Sequence, residues 1–306
     1  MKRTLVAWVE RLFYAPSFFD SLISYLLYPL SLLYCSIVWF RFKTTKVIDF
    51  KIAVVSVGNL TVGGSGKTPL VSALASGFKK PCIVLRGYGR QSQGLIVVSD
   101  GTEITCNIFN SGDEAIIYAK KLPYAVVIVS EKRDAAIIKA KELQCDVVFL
   151  DDGYSKHHIK KYDILIDVTT PNTLCLPAGP FRERLWQGKQ AYIAYEKVTF
   201  KRMVSYHDLT EKMVLVTAIA RPERLKEFLP KNVIDSFFFP DHHYFTKEEL
   251  LDILKQSGAT SLLVTYKDYV KLVDFNIPLS LMDLDLEVDA ELVNEITSYV
   301  KNQSAV

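Results

Sequence analysis

The segment GNLTVGGSGKTP, residues 58–69, has the composition of a phosphate-binding loop. Its glycines would let backbone N–H groups turn inward around an anion, and a helix that begins at its end would direct its positive dipole toward the same anion. Lys67 would then reach the β- and γ-phosphates of a nucleotide, and the Thr68 hydroxyl would bind Mg²⁺. Thr61 stands where the usual pattern has its first glycine. The predicted nucleotide-binding residues are Thr61, Gly63, Gly64, Ser65, Gly66, Lys67 and Thr68.

A pair of acidic residues follows the apolar run in DVVFLDDGY, residues 146–154. Carboxylates at the carboxyl end of a parallel strand lie where open α/β sheets bind ligands. We therefore expect a metal site at Asp151 and Asp152. One of the two aspartates would hold the metal ion, directly or through water. The structural alternatives are a strand end that caps the turn at Gly153 and, for the phosphate loop, a glycine-rich turn capped by a helix.

These residues need a parallel sheet to position them, and the sequence after Lys46 has the corresponding pattern. Short, nearly all-apolar runs alternate with helical stretches, which is typical of a parallel sheet covered on both faces. The fold class is therefore α/β, with a phosphate-loop NTPase-like parallel sheet and helices on both faces. The predicted strands are KIAVVSV, PCIVLR, YAVVIVS, DVVFLDD and DILIDV, and the predicted helices include PLVSALASGF and residues 113–122 and 133–143.

A second strand–helix series begins near Met213 and predicts a smaller C-terminal α/β domain. Its strands are MVLVTAI, VIDSFFF, SLLVTY and PLSLMDLD, and its helices run over residues 222–228 and 246–256. The polar segment 201–212 is the predicted linker. The chain thus divides into an N-terminal apolar helical segment, a nucleotide-binding core and the smaller domain, at residues 1–46, 47–205 and 206–306.

The N-terminal segment contains an uncharged stretch, SLISYLLYPLSLLYCSIVWF, at residues 21–40. Its length is just sufficient to span a bilayer. Basic residues flank it on both sides, which favours a helical segment that lies in the headgroup region of an anionic leaflet over an oriented span. Membrane association of this kind is the prediction, ahead of a helical hairpin buried in a soluble core and of a full span. A cleaved signal peptide fits poorly, because the apolar run starts late.

The overall composition is that of a globular protein, with 306 residues of which 49% are hydrophobic and 23% charged. The net charge of +3 gives no indication of nucleic-acid binding. The cysteines have no paired spacing, so we expect reduced thiols in a cytosolic setting and no disulfide or zinc framework. They are Cys35, Cys82, Cys106, Cys145 and Cys175.

An ordered series of segments resembles the tetraacyldisaccharide 4′-kinase family, the lipid A 4′-kinases. These segments are GNLTVGGSGKTP, RGYGR, GDE, DDGY, LPAGPFRE, TAIARPERL, FPDHHYF and YKDYVKL. The family's own loop begins GN-T-x-GG, so Thr61 is ordinary within it. The resemblance implies transfer of the γ-phosphate of ATP, with Mg²⁺, to the 4′-hydroxyl of an acylated glucosamine disaccharide 1-phosphate. It also implies a lipid substrate and a membrane surface as partners, at the cytoplasmic face of a Gram-negative inner membrane, with no nucleic acid and no obligate protein partner.

The resemblance further implies a catalytic pair, Asp113 and His242, assembled across a cleft between the two domains. Asp113 follows Gly112 at a predicted helix start, and by itself it would be interpreted as a helix N-cap. An imidazole paired with a carboxylate would accept the proton of a sugar hydroxyl near neutral pH. Asp241 or His243 would support that pair. The alternative for this segment is a polar loop with surface imidazoles.

Substrate contacts are expected at Arg86, Tyr88, Arg182 and Glu183. Arg182 would clamp a phosphate with two hydrogen bonds. Arg86 and Arg90 would contact anionic groups of the substrate, and Tyr88 would pack on the nucleotide or the sugar. The alternative for Arg182 and Glu183 is a surface ion pair within a loop.

The sequence departs from the family pattern in three segments. Leu85 replaces a serine before RGYG, DDGYSK stands for DDGFQH, and Tyr266 turns TEKD into TYKD. A glutamate at position 266 is therefore dispensable, and Lys267 and Asp268 become structural or peripheral candidates. Two other functions stay open: a phosphate-loop GTPase or ATPase switch that binds a protein partner, and a membrane-bound structural protein with a vestigial nucleotide site.

Overall fold

The computed structural model describes residues 2–63, 66–241 and 243–304. It begins with three helices, α1 (Lys2–Tyr14), α2 (Phe18–Leu26) and α3 (Tyr28–Thr44). Ser17 begins α2 with a reciprocal cap, in which its side chain accepts from the Asp20 N–H and the Asp20 carboxylate accepts from the Ser17 N–H. Pro29 lies in the first turn of α3, where its missing N–H has no helical partner. The axis bends by 58° between α2 and α3.

Helices α2 and α3 carry a large apolar surface that the rest of the chain leaves exposed. Phe18 is 81% exposed and Leu26 is 80% exposed. No single helix in the described residues is long and apolar enough to cross a bilayer. The bent α2–α3 pair, taken together, has the length and apolar composition that a crossing requires. The alternative of a hairpin buried in a soluble core is therefore wrong. We define the apolar surface of α2 and α3 by Phe18, Phe19, Leu22, Tyr25, Leu26, Leu30, Leu33, Ile37 and Phe40.

The first sheet has seven strands in the spatial order β3-β4-β2-β5-β1-β6-β7. All neighbouring pairs are parallel except β3 with β4, which is antiparallel. The α/β class and the five predicted strands are confirmed, whereas β3 and β7 were not anticipated because they are short edge strands. The strands are β1 (Val54–Gly58), β2 (Pro81–Leu85), β3 (Ile96–Asp100), β4 (Val126–Val129), β5 (Val147–Asp151), β6 (Tyr162–Ile166) and β7 (Tyr192–Ala194).

Helices cover both faces of this sheet. The covering elements are α4 (Lys67–Ala75), α5 (Ile108–Ser111), α6 (Asp113–Lys121) and α7 (Arg133–Glu142). Leu70 of α4 and Ile116 of α6 pack with Val55 on one face, while Ile137 of α7 packs with Val54 on the other. Successive strand residues thus enter opposite hydrophobic clusters, which is why the strands read as uninterrupted apolar runs.

The second sheet has five strands in the order β10-β9-β11-β12-β8, with only the β12–β8 pair antiparallel. Its strands are β8 (Phe200–His207), β9 (Met213–Thr217), β10 (Val233–Phe238), β11 (Ser261–Thr265) and β12 (Leu279–Val288), and its helices are α8 (Lys247–Ser257) and α9 (Tyr266–Leu272). Short 3₁₀ helices occupy Pro222–Phe228, where a helix was predicted, and Val273–Phe275. The predicted linker 201–212 is largely strand β8, whose polar residues suit an exposed edge.

The two sheets are joined by more than the β8 connection. Strand β8 spans the predicted boundary between residues 205 and 206. The last helix, α10 (Ala290–Ser304), returns to the first sheet, where Leu292, Ile296 and Val300 enter the cluster that contains Val55. The polypeptide therefore crosses between the sheets twice.

A disulfide joins α3 to the loop after β6, contrary to the expectation of reduced thiols. Cys35 and Cys175 are bonded, with their Cα atoms 6.0 Å apart and 140 residues apart in sequence. Ser31 of α3 also donates a 2.8 Å hydrogen bond to the Cys175 carbonyl. Because these contacts depend on tertiary packing, the spacing of the cysteines gave no sign of them.

Candidate active site

The phosphate loop leads from the end of β1 into the first turn of α4, as the sequence predicts. Gly63 and Gly66 have φ angles of +99° and +80°, a conformation that residues with a Cβ seldom adopt. Gly66 directly precedes α4, so the unpaired N–H groups of the first turn face the loop. Gly64 and Ser65 lie outside the described residues.

Thr61 is buried at the base of this loop. Its hydroxyl accepts a hydrogen bond from Asn59 Nδ2 at 3.2 Å, and its backbone forms an antiparallel bridge with Phe181. The neighbouring Val62 N–H donates to the Pro180 carbonyl at 2.9 Å. The loop is therefore held against the segment LPAGPFRE. At position 61 a threonine, whose hydroxyl accepts the Asn59 hydrogen bond, fits this arrangement where the usual motif has glycine.

A polar cluster lies where LPAGPFRE meets the loop. Lys67 Nζ is 3.2 Å from Asn59 Oδ1 and 3.7 Å from Asp152 Oδ1. Arg182 donates to the same two residues, from Nη2 to Asn59 Oδ1 at 3.1 Å and from Nη1 to Asp152 Oδ2 at 2.8 Å. Burial by itself would raise the pKa of Asp152, but Lys67 and Arg182 outweigh burial and lower that pKa. Asp152 is thus an ionised carboxylate held between two cations.

Asp151 has different surroundings, although it is the adjacent residue. Its side chain is buried, and its Oδ2 accepts a 2.8 Å hydrogen bond from the Tyr118 hydroxyl. Burial raises the pKa of Asp151 in spite of the nearby charge of Lys67. The Thr68 side chain lies beside the same Tyr118 hydroxyl. Thr68 and Asp151 therefore place two oxygen atoms of the kind that bind Mg²⁺ near one point.

The buried carboxylate of Asp113 begins α6 and contacts two lysines of α9. Lys271 Nζ is 3.4 Å and Lys267 Nζ is 3.8 Å from Asp113 Oδ2. Lys267 also lies 3.0 Å from Asp241 Oδ1. Burial by itself would lower the pKa of Lys267, but Asp113 and Asp241 outweigh burial and raise it. Lys267, for which the sequence left a structural or a peripheral place open, joins Asp113 to the segment FPDHHYF.

His242, the expected partner of Asp113, lies outside the described residues. The flanking residues nevertheless bring the second sheet's loop against the first. Tyr244 donates a 3.4 Å hydrogen bond to the Gly89 carbonyl and stacks on Phe109 with ring centroids 5.5 Å apart. The neighbouring His243 hydrogen-bonds to Glu249 at 3.0 Å, within its own domain.

The RGYGR turn lies beside Asp113. Tyr88 and Asp113 line a small cavity of about 30 Å³ together with Tyr244 and Lys271. Arg86 is exposed at the same turn. Arg90 is instead buried and pairs with Glu131, so the expectation that it contacts substrate is not supported.

Glu183 is buried and does not pair with Arg182, so the alternative of a surface ion pair between them is wrong. Its carboxylate binds Arg41 of α3 at 2.6 Å and His157 at 3.3 Å. Next to it, a cavity of about 200 Å³ opens between α3 and the phosphate loop. Its lining includes Tyr34, Arg41, Asn59, Asp152, Arg182 and Glu183.

Comparison of the sequence with known proteins identifies its family. A family model described as "LpxK: Tetraacyldisaccharide-1-P 4'-kinase" matches residues 23–203 and 190–303. A tetraacyldisaccharide 4′-kinase of Aliarcobacter butzleri is 44% identical over 313 residues, covering 99% of both chains. The chain belongs to the tetraacyldisaccharide 4′-kinase family. Its relatives include the enzymes of the same name from Helicobacter acinonychis, 43% identical over 96% of this chain and 95% of that one, and Campylobacter jejuni subsp. jejuni serotype O:23/36, 42% identical over 96% of both.

A solved structure of this family has the same fold. LpxK of Aquifex aeolicus, crystallised in complex with ATP, aligns with a TM-score of 0.72 and 26% sequence identity. The alignment covers 91% of this chain and 99% of that one. The overall fold of this chain is therefore shared with LpxK of Aquifex aeolicus.

Sequence reasoning missed several residues of this 4′-kinase site. Asn59 follows β1 and binds both Lys67 and Arg182, and its place in the loop motif was the available signal. Tyr118 of α6 and Lys271 of α9 each lie just over one turn inside their helix, where nothing in the sequence marks them. Arg133 is buried and donates to the Asp151 carbonyl at 3.3 Å.

Proposed function

We infer that this chain is an ATP-dependent kinase that transfers the γ-phosphate to the 4′-hydroxyl of tetraacyldisaccharide 1-phosphate. The product is the 4′-phosphorylated precursor of lipid A. The observation that carries this conclusion is the nearly full-length match to tetraacyldisaccharide 4′-kinases in a chain whose phosphate loop, Lys67 and paired aspartates meet at one sheet edge.

ATP is assigned to the phosphate loop. The left-handed glycines and the first turn of α4 supply backbone N–H groups for the phosphates. Lys67 adds a cation that Asn59 of the loop and Asp152, which follows β5, hold in place. Phosphoryl transfer depends mainly on such positioning and charge stabilisation.

The residues present also fit a magnesium ion. Mg²⁺ prefers oxygen ligands, and Thr68 and Asp151 supply them beside the Tyr118 hydroxyl. Asp152 is committed to Lys67 and Arg182, so we assign the direct contact to Asp151 and an outer role to Asp152. When bound, the ion neutralises charge on the phosphates.

Asp113 and His242 are assigned to the acceptor hydroxyl. Asp113 is fixed by Lys267 and Lys271, and a carboxylate held in this way is suited to orient its imidazole partner. The imidazole would take the proton as the sugar oxygen attacks the γ-phosphorus, and the bond from that phosphorus to the β–γ bridging oxygen would break to release ADP. Tyr88 lines the cavity beside Asp113 and is placed to contact the sugar.

The lipid acceptor would approach along α2 and α3. The apolar surface of these helices is suited to lie in the interface of a membrane, and the 200 Å³ cavity lies between α3 and the phosphate loop. Arg41 and Arg182 on its wall suit an anionic sugar phosphate. We propose attachment at the cytoplasmic face of a Gram-negative inner membrane, where ATP and lipid precursor are both accessible.

The alternative of a guanine-specific switch has no support in the TYKD segment. Asp268 is fully buried and accepts hydrogen bonds from Thr217 and Thr265 at 2.7 and 2.8 Å. Its carboxylate holds β9 to α9 and does not face a nucleotide base.

A reconstituted assay tests the proposed function. The full chain, ATP and Mg²⁺ are mixed with the disaccharide 1-phosphate in detergent micelles, and 4′-phosphate formation is scored by mass. We expect product only with the acceptor, and a loss of at least about 100-fold for Lys67→Ala. Turnover of ATP or GTP that is independent of the acceptor would contradict the assignment.

A further inference from the structure

Three arginines of the second sheet's domain lie near one another, two of them beside the phosphate loop, and none has a role in the mechanism above. They are Arg202 of β8, Arg221 at the start of the 3₁₀ helix Pro222–Phe228, and Arg224 within that helix. A Cβ placed on Gly63 would lie 3.1 Å from Arg221 Nη2. A Cβ placed on Gly66 would lie 3.8 Å from Arg202 Nη2. Two guanidinium groups therefore border the glycines of the loop.

This cluster has more positive than negative charge. In the part of the chain that the structure describes, only Arg202 among the three forms an ion pair, with Glu196 at 2.9 Å. Burial lowers the pKa of Arg224, and the charges of Arg221 and Arg202 lower it further. Like charges so close together repel one another, and an anion beside them would relieve that repulsion.

Arg221 is held in position by the N-terminal helix. Its guanidinium carbon lies 4.1 Å from the centroid of the Tyr14 ring, a distance typical of a cation–π contact. The Tyr14 hydroxyl donates a hydrogen bond to the Val62 carbonyl, directly before Gly63. Tyr14 therefore joins three parts of the molecule: α1, the phosphate loop and the arginine of the second domain.

We propose that Arg221 is a phosphate ligand for ATP that the second domain supplies to the phosphate loop, and that Tyr14 is its positioning residue. The guanidinium fork binds two phosphate oxygens at once, which a lysine does not do. This inference rests on the proposed ATP-dependent kinase function. It adds a cation beyond Lys67 and connects nucleotide binding to the helix that precedes the apolar surface of α2 and α3.

Equilibrium binding of ATP to the full chain in detergent micelles tests the role of Arg221. We expect Arg221→Gln to weaken ATP binding about 10-fold or more, and Arg221→Lys to restore part of the loss. Lys226→Gln is the matched control, because it removes an exposed positive charge from the same 3₁₀ helix. Its ATP affinity should stay within about 2-fold of wild type. Wild-type affinity in a folded Arg221→Gln protein would overturn the proposal.

A double-mutant cycle tests the role of Tyr14. Tyr14→Leu should raise the KM for ATP while leaving the KM for the lipid acceptor within about 2-fold, and Tyr14→Phe, which keeps the ring, should have a smaller effect. Combined with Arg221→Gln, Tyr14→Leu should add little further loss. Independent, additive effects would show that Tyr14 does not act through Arg221.

An error in the proposed kinase function and an error in the role of Arg221 would give different experimental results. If the wild-type chain binds ATP but does not phosphorylate the acceptor, the proposed function fails while the binding comparison still decides the role of Arg221. If it phosphorylates the acceptor and Arg221→Gln does so with an unchanged KM for ATP, only the inference about Arg221 fails.

Discussion

Asp151 and Asp152 are neighbours in the chain, yet their carboxylates have opposite environments. The strand end turns sharply there, and Asp152 has a φ of +55°. Asp151 consequently points toward Tyr118, while Asp152 points toward Arg182 and Lys67. In the proposed assignment, one carboxylate is available to a metal ion and the other orients the cations of the site.

This difference predicts distinct magnesium dependence for two similar substitutions. Asp151→Asn should raise the Mg²⁺ concentration at half-maximal activity by about 10-fold or more, because a metal ligand is weakened. Asp152→Asn should lower kcat/KM for ATP with little change in that Mg²⁺ concentration, because it releases Lys67 and Arg182. Magnesium titrations of steady-state activity measure both, and equal shifts in the two variants would refute the assignment.

Lys267 provides a second prediction at the residue scale. Lys267→Met should lower kcat by about 10-fold, because it removes one of two ammonium groups that hold Asp113 and also breaks the contact with Asp241. The KM for ATP should change little, since the lysine contacts none of the phosphate-loop residues that the structure describes. Lys255→Met, on the exposed face of α8, is the control. A variant with normal kcat would remove Lys267 from the catalytic arrangement.

At the scale of elements, α2 and α3 combine helix capping with an exposed apolar surface. A helix pair with so much uncovered hydrophobic area is unusual for a surface that faces only water. The same pair holds the catalytic region through Arg41 and Glu183, and through the disulfide to Cys175. Attachment to a membrane would therefore place the 200 Å³ cavity next to the lipid headgroups.

The apolar surface of α2 and α3 predicts that the protein binds to lipid vesicles and floats with them. Replacing Phe18, Leu22 and Leu26 with serine should reduce flotation with anionic vesicles by about 10-fold, because buried apolar area is lost at the interface. ATP binding should persist. A control triple variant, Ile138→Ser, Ile234→Ser and Leu251→Ser, removes three exposed apolar side chains elsewhere on the molecule. Equal flotation of the two triple variants would contradict interfacial attachment through α2 and α3.

Asp20 links α1 to α2 and makes the stability of this helix pair depend on pH. Its carboxylate accepts hydrogen bonds from Arg11 at 2.9 Å and from Ser17, and these contacts hold the pKa of Asp20 well below its usual range. A lowered pKa in the folded state contributes stability above the unfolded-state pKa of about 3.9, and this stability is lost as the pH falls. Urea unfolding at pH 3, 5 and 7 should show that Asp20→Asn removes part of this acid sensitivity. An identical pH profile in wild type and variant would contradict the prediction.

At the scale of the whole molecule, α10 makes the two sheets depend on each other. Lys121 of α6 reinforces the junction, because it binds Asp283 and Asp285 of β12 at 2.6 and 2.7 Å. The arrangement brings Asp113, Lys267 and Asp241 together from both sides of the junction. These contacts therefore exist only while both units are folded and docked.

Core packing at this junction predicts a stability effect. Ile296→Ala should lower the free energy of unfolding by about 2–4 kcal/mol, because it leaves a cavity in the cluster of the first sheet. Val293→Ala, where the side chain is 38% exposed, should cost much less. Urea denaturation of both variants measures the difference. Equal losses would mean that α10 does not complete the core of the first sheet.

The sequence predicted the elements whose signal is local. Buried parallel strands such as β5 read as apolar runs because both of their faces are covered, and the loop before α4 requires glycines at left-handed positions. Edge strand β8 was taken for a linker because an exposed strand has no continuous apolar pattern. Helix α10 was not assigned, and its contact with the first sheet has no local signal.

By itself, the sequence determined the α/β class, the phosphate loop with Lys67, the paired aspartates and the family. The phosphate loop and the paired aspartates are each encoded in a short, contiguous run, whereas the fold class and the family follow from the order of such runs along the chain. Only the tertiary structure decided that Asp152 faces cations while Asp151 faces Tyr118, that Lys267 joins Asp113 to Asp241, and that Tyr14 holds Arg221 over the loop. These contacts join residues far apart in the chain, and the packing of two sheets and a helical segment sets their distances.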